Sequence, residues 1–170
     1  MKPFIFAVHY WELHWMFALL KKTKWPVLAE SEITIEFCKK HKIPTITRED
    51  AMTNYSKLVV NVMHYTPQRE LITEWYKKGK QVYVIERAFD GALNVYPQFW
   101  SMDMSLFTKY LVSNQFDYDL LHPRYGDKIV YTGSPRLNMA FKAPQRQLDD
   151  IYSKVGTKDF YVATVIGGMP

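Results

Sequence analysis

Apolar residues along the chain fall into two alternating patterns: short unbroken runs, and longer stretches with a helical repeat. Pro3–Val8 (PFIFAV) is an apolar run of strand length. Trp11–Lys22 (WELHWMFALLKK) follows, with apolar residues near i, i+4 and i+8, and predicts one helix. Pro26–Ala29 predicts a short strand, and Glu32–Lys42 a helix with Ser31 as its N-cap. Ile43–Ile46 predicts a further strand. Thr47-Arg-Glu-Asp50 resembles a capping box and predicts a short helix.

Lys57–Met63 (KLVVNVM) is the clearest β-branched run. Thr66-Pro67 then supplies an N-cap and a proline at the first helical position, and that helix runs to Lys78, where Gly79 ends it. Gln81–Glu86 (QVYVIE) predicts a strand. Arg87–Ser105 has no clean period and predicts a long loop with some helix. Lys109–Ser113 and Lys128–Tyr131 predict strands on either side of a short helix at Phe116–Leu121. Leu148–Val155 predicts a helix, and Asp159–Ile166 a strand leading into Gly167-Gly168. Strands alternating with helices imply βαβ units and a parallel sheet, and continuous apolar strands imply cover on both faces. The expected fold is α/β, a Rossmann-like parallel sheet with helices on both faces.

Composition narrows the class. The 170 residues allow one domain and little more, and 48% hydrophobic with 23% charged residues excludes a disordered chain. A single cysteine, Cys38, excludes an internal disulfide and a cysteine-based zinc site, and fits a reducing, cytoplasmic setting. Cys38 reads as a small buried hydrophobe. No apolar run is long enough to span a membrane. The net charge of +5 leaves nucleic acid, a membrane surface or phosphorylated ligands open as partners. The lysines cluster at Lys21-Lys22-Thr23-Lys24, Lys39-Lys40-His41-Lys42 and Lys77-Lys78-Gly79-Lys80, each closing a helix. Cations suit helix C-termini, and in a βαβ sheet those lie at the edge opposite the ligand-binding one. The clusters therefore belong behind any pocket, first as cations that suit the helix ends, with a basic footprint for nucleic acid or peripheral membrane contact as the alternative.

Candidate chemistry belongs just after each strand. There the sequence places His9-Tyr10-Trp11, Glu30-Ser31, Thr47, His64-Tyr65-Thr66, Glu86-Arg87, Ser113-Asn114, Thr132-Gly133-Ser134 and Gly167-Gly168. Such a set suits general acid/base work on a hydroxyl. His9, Glu12 and His14 have the spacing H-x-x-E-x-H, which does not share a helix face as H-E-x-x-H does, so no metal site is expected. The turn after the first strand reads HYWELH. It lacks the glycines of a dinucleotide or P-loop site, and no cofactor is expected.

The segment Lys128–Asn138, KIVYTGSPRLN, resembles the end of the N-terminal domain in glycosyltransferases of the two-Rossmann-domain (GT-B) type. CDP-glycerol glycerophosphotransferase-like and surface-carbohydrate transferases carry turns of this kind, and UDP-N-acetylglucosamine 2-epimerases a related one. Gln81–Glu86 followed by Asp90-Gly91 is similar to the strand and loop that carry a catalytic "HG" or "DG" element. Lys109–Asn114 resembles the strand ending in Ser, and YVATVIGG the first strand and phosphate-facing loop of a second domain.

The resemblance implies an acceptor-side domain over residues 1–142, and a linker with the first strand of a truncated second domain over residues 143–170. It implies transfer of a sugar or polyol phosphate from a nucleotide-activated donor to a hydroxyl acceptor. Glu86 and Asp90 would then be the base, with His9 an alternative. Trp11, His64, Ser134 and Arg136 would contact substrate, and Gly167 and Gly168 a phosphate. For Ser134-Pro135-Arg136 the structural role comes first: the proline fixes a turn, and Arg136 pairs across the domain junction. Two other readings stay open. One is a non-catalytic Rossmann-like module for a nucleotide or nucleic acid. The other is an interaction domain with Tyr10, Trp11, Trp15 and Trp100 on its surface.

Overall fold

The computed structural model describes residues 2–61, 66–86 and 104–133. Within them the chain forms one seven-stranded, all-parallel sheet in the order β3-β2-β1-β4-β5-β6-β7. The strands are β1 (Pro3–Ala7), β2 (Val27–Ala29), β3 (Thr45–Ile46), β4 (Lys57–Val60), β5 (Gln81–Ile85), β6 (Lys109–Val112) and β7 (Ile129–Tyr131). The helices between them are α1 (Tyr10–Trp15), α2 (Phe17–Thr23), α3 (Glu32–Lys40), α4 (Arg48–Asn54), α5 (Thr66–Lys77) and α6 (Gln115–Tyr125). Winding starts at β1 and runs first outward to β3, then back past β1 to β4 and on to β7. The order reverses between β1 and β4, the switch point of a doubly wound sheet. The α/β, Rossmann-like expectation is met.

Alternation along β1 shows how the two faces are covered. Phe4 and Phe6 point into one core with Leu58, Val60, Leu71, Ile72, Trp75, Val82 and Val84, under α4, α5 and α6. Ile5 and Ala7 point into the other with Leu13, Met16, Leu20, Val27 and Cys38, under α1, α2 and α3. Right-handed crossovers require this switch of face where the winding direction reverses. Trp75 is fully buried, stands edge-on to Phe4 at 5.1 Å, and donates its indole N–H to the Gln81 carbonyl at 3.1 Å. Cys38 is buried in the second core, and burial pushes its thiol up to about 11, so it is an inert apolar filler.

Local chemistry sets most element ends. Ser31 accepts from Thr34 N–H at 3.3 Å, and Thr47 from Asp50 N–H at 3.1 Å, so both helices start where the caps were expected. Gly79 ends the turn after α5 at φ +65°, a conformation that only glycine adopts freely.

Three expectations shift. The single helix over Trp11–Lys22 is two, broken at Met16 with φ −103° and ψ 8°. The residues buried on the sheet are Leu13, Met16 and Leu20, with Leu19 partly buried against the same core. The strand over Lys57–Met63 ends at Val60, before the polar Asn61. The helix at Phe116–Leu121 extends over Gln115–Tyr125 and carries Pro123 within its last turn. The elements expected at Leu148–Val155 and Asp159–Ile166, and the domain boundary at residue 142, lie outside the described residues.

Candidate functional site at the strand ends

Glu86 follows β5 directly at the carboxyl edge of the sheet. Its N–H donates to the Leu111 carbonyl at 2.9 Å, which closes the ladder between β5 and β6. The next donor on the β6 side, Ser113 N–H, meets the Glu86 carboxylate instead, with Oε2 at 2.7 Å. The Ser113 hydroxyl donates to the same oxygen at 2.6 Å. Glu86 is buried, at 9% exposure. Burial raises its carboxyl to about 7; the two Ser113 bonds oppose that rise and a neighbouring carboxyl, Asp117, adds to it. A carboxyl poised near neutrality at a strand end has the acidity of a general base.

Asp117 is fully buried in the first turn of α6. Its N–H donates to the Asn114 side-chain oxygen at 2.9 Å, and Asn114 Nδ2 donates back to Asp117 Oδ2. Oδ1 has no hydrogen-bond partner among the described residues. Sequence reasoning placed Ser113 and Asn114 at the edge but missed Asp117. The signal was there in Asn114-x-x-Asp117, the spacing of an N-cap and its third helical residue.

At the switch point a second carboxylate is buried, and it is fully occupied. Glu12 accepts from Val8 N–H at 3.3 Å, from His9 N–H at 3.2 Å and from the Gln68 amide at 2.9 Å. Asn61, just after β4, donates its amide to the Glu12 carbonyl at 3.1 Å. The turn that binds phosphate in dinucleotide-binding sheets is therefore filled by a carboxyl side chain of its own chain. Glu12 entered the sequence reasoning only through its spacing from two histidines, and Gln68 not at all. Its real work is to hold the β1–α1 turn. His14, the other end of that spacing, stands edge-on to Phe37 at 4.8 Å.

His9 is the N-cap of α1 and stacks on Trp11, with ring centroids 5.7 Å apart and planes 15° apart. The structure thus brings these two expected site residues together. It sets them at the same edge as Glu86 but across β4, so the strand ends stand about 10 Å apart at the usual strand spacing. Asp90, His64, Ser134, Arg136, Gly167 and Gly168 lie outside the described residues. Of the TGSPR turn, Thr132 and Gly133 are described: Thr132 N–H donates to the Val112 carbonyl at 3.0 Å, and Gly133 has φ +71°.

The lysine clusters lie where the topology predicts. Lys21 and Lys22 sit in the last turn of α2, Lys39 and Lys40 in that of α3, and Lys77 in that of α5, at the amino edge of the sheet. The third cluster is partly spent on structure. Lys78 pairs with Glu74 at 3.4 Å. Lys80 donates to the Met52 and Tyr55 carbonyls beneath the Trp75 ring, and burial lowers its pKa. No helix among the described residues is long and apolar enough to cross a membrane.

Comparison of the chain with protein-family models, with curated proteins and with solved structures returns no match.

Proposed function

We propose that the chain is the acceptor-side domain of a glycosyl- or polyol-phosphate transferase, with Glu86 as the base that takes the proton from an acceptor hydroxyl. The observation that carries this reading is the Glu86 carboxyl itself: buried at the carboxyl end of an inner strand, held by Ser113, and raised to about 7. In the reaction the acceptor O–H proton passes to Glu86 and the freed oxygen bonds to the donor's electrophilic carbon or phosphorus. The bond from that atom to the nucleotide breaks, and the nucleotide leaves with the electron pair. His9 and the Trp11 ring supply an aromatic wall on the other side of the edge, suited to a sugar face.

Occupation of the first turn by Glu12 favours an acceptor role over a nucleotide-binding module, because the Val8 and His9 N–H groups that a donor phosphate would use there are already taken. The donor site would then lie elsewhere in the protein.

The test is a transfer assay on the full native protein with a panel of nucleotide-activated donors and hydroxyl acceptors, read by product mass. Transfer that Glu86→Gln abolishes while the fold persists supports the reading. Transfer at an unchanged rate in Glu86→Gln overturns the base assignment. Tight nucleic-acid binding that weakens steeply with salt, without transfer, would point to the lysine-rich edge instead.

A further inference from the structure

Two stretches of the chain repeat one pattern. Lys21-Lys22-Thr23-Lys24-Trp25-Pro26 closes α2 and leads into β2, and Lys39-Lys40-His41-Lys42-Ile43-Pro44 closes α3 and leads into β3. β2 pairs with β3 through Val27 and Thr45, each three residues beyond the third lysine of its repeat. Lys24 and Lys42 therefore precede neighbouring strands by the same length of chain, at the amino edge of the sheet. Phe17 joins the two repeats: Lys21 Nζ lies over its ring at 4.7 Å, and the His41 ring stands edge-on to it at 5.0 Å. All six lysines are exposed, and neither repeat contains an acidic residue.

The third lysine of each repeat stands where a glycine would fit more easily. Lys24 has φ 58° and Lys42 φ 56°, and among the described residues these are the two non-glycine positions with left-handed backbone. Glycine takes that conformation without the clash that a Cβ brings, and Gly79 takes it after α5. The chain turn at these helix ends thus needs a left-handed residue and not a lysine. Helix capping accounts for cations in a last turn, but not for a Cβ at this position. What the two lysines add is charge, matched in register on one surface.

We propose that the two repeats form a binding surface for the phosphate backbone of nucleic acid, where the ends of α2 and α3 meet the amino edge of the sheet. Two matched rows of ammonium groups suit a polymer that carries a phosphate at every step. An anionic membrane suits them less, because stable attachment takes an apolar anchor beside the charges. The most exposed large apolar side chains among the described residues, Ile33 and Phe116, lie outside both repeats. The surface is at the opposite edge from Glu86 and does not rest on the transferase reading.

Fluorescence anisotropy of a labelled duplex DNA, titrated with the full chain over a range of salt concentrations, tests this. Binding should weaken with salt, log K falling against log salt by about 0.9 for each phosphate met and by about 4 in all. Lys24→Gly with Lys42→Gly removes two charges at positions whose backbone glycine relieves, so thermal stability should hold or rise. That variant should bind at least about fivefold more weakly at low salt, with a slope shallower by about 2. Lys77→Ala with Lys78→Ala removes the same charge from the end of α5, which covers the other face of the sheet, and should bind within about twofold of the wild type. A wild type that does not bind at low salt, a glycine variant that binds as the wild type does, or an equal loss in both double variants overturns the surface. Capture of the chain by phosphatidylserine-containing vesicles, with no binding to DNA, overturns the assignment to nucleic acid.

Discussion

Ser113 gives both of its donors, the backbone N–H at 2.7 Å and the hydroxyl at 2.6 Å, to one oxygen of Glu86. A single residue thereby stitches the end of β6 to the end of β5 and fixes a carboxylate at the edge where α/β sheets place their ligands. Both bonds favour the ionised form, so they limit the effect of burial.

Ser113→Ala removes one of the two and leaves the backbone donor in place. The Glu86 carboxyl should then titrate above about 7, and stability at pH 8 should fall by about 1.5–3 kcal/mol, the worth of a hydrogen bond to a charged group. Carboxyl titration by NMR and urea unfolding at pH 8 check both.

The pH dependence of stability follows from the same group. The Glu86 carboxyl holds its proton up to about 7 in the folded chain against 4.5 when unperturbed, so the folded state binds more protons across that window. Its contribution is full below pH 4.5 and is lost as pH rises through about 7, amounting to about 3 kcal/mol at most. Glu86→Gln cannot ionise and should flatten this fall. The variant should gain on the wild type in urea unfolding as pH goes from 5 to 8.

Glu12 should matter for folding and not for proton transfer. Its carboxylate satisfies the Val8 and His9 amides and the Gln68 side chain, all at a fully buried position. Glu12→Ala orphans those donors and should cost about 3 kcal/mol, whereas Glu12→Gln, which keeps one acceptor oxygen, should cost less. Equilibrium unfolding of the two variants distinguishes this from a surface role, for which both changes would be near neutral.

The amino edge should be silent toward small ligands. Lys77 and Lys78 close α5 on the side away from Glu86, and the Lys78–Glu74 pair is exposed. Lys77→Ala with Lys78→Ala should leave acceptor KM unchanged within twofold and stability within about 0.5 kcal/mol. A large rise in KM would mean that the acceptor binds at the other edge.

Much of the framework is legible in the residues themselves. PFIFA, KLVV and QVYVI are apolar at nearly every position because both faces of the sheet are covered, and Ser31 and Thr47 mark helix starts by local hydrogen bonding. Glu86 could be placed at a strand end by counting along such a run. Its neighbours are less legible. Asp117 bears on Glu86 across 31 residues of sequence because β6 pairs with β5 and runs through Ser113 and Asn114 straight into α6, and Gln68 reaches Glu12 because α5 starts beside α1 at the switch point. Those contacts depend on strand order, which no local pattern encodes. The break at Met16 is not legible in the pattern, because Leu13, Met16 and Leu20, at i, i+3 and i+7, share the face that one continuous helix would present.

The measurement closest to the main claim is the pH dependence of kcat/KM for transfer to a hydroxyl acceptor, in the wild type and in Glu86→Gln. The account predicts a wild-type rate that climbs with pH to a plateau above about 7, and a Gln variant at least about a hundredfold slower with that limb gone. A wild-type profile flat through pH 7, or a Gln variant with the wild-type rate, would contradict it.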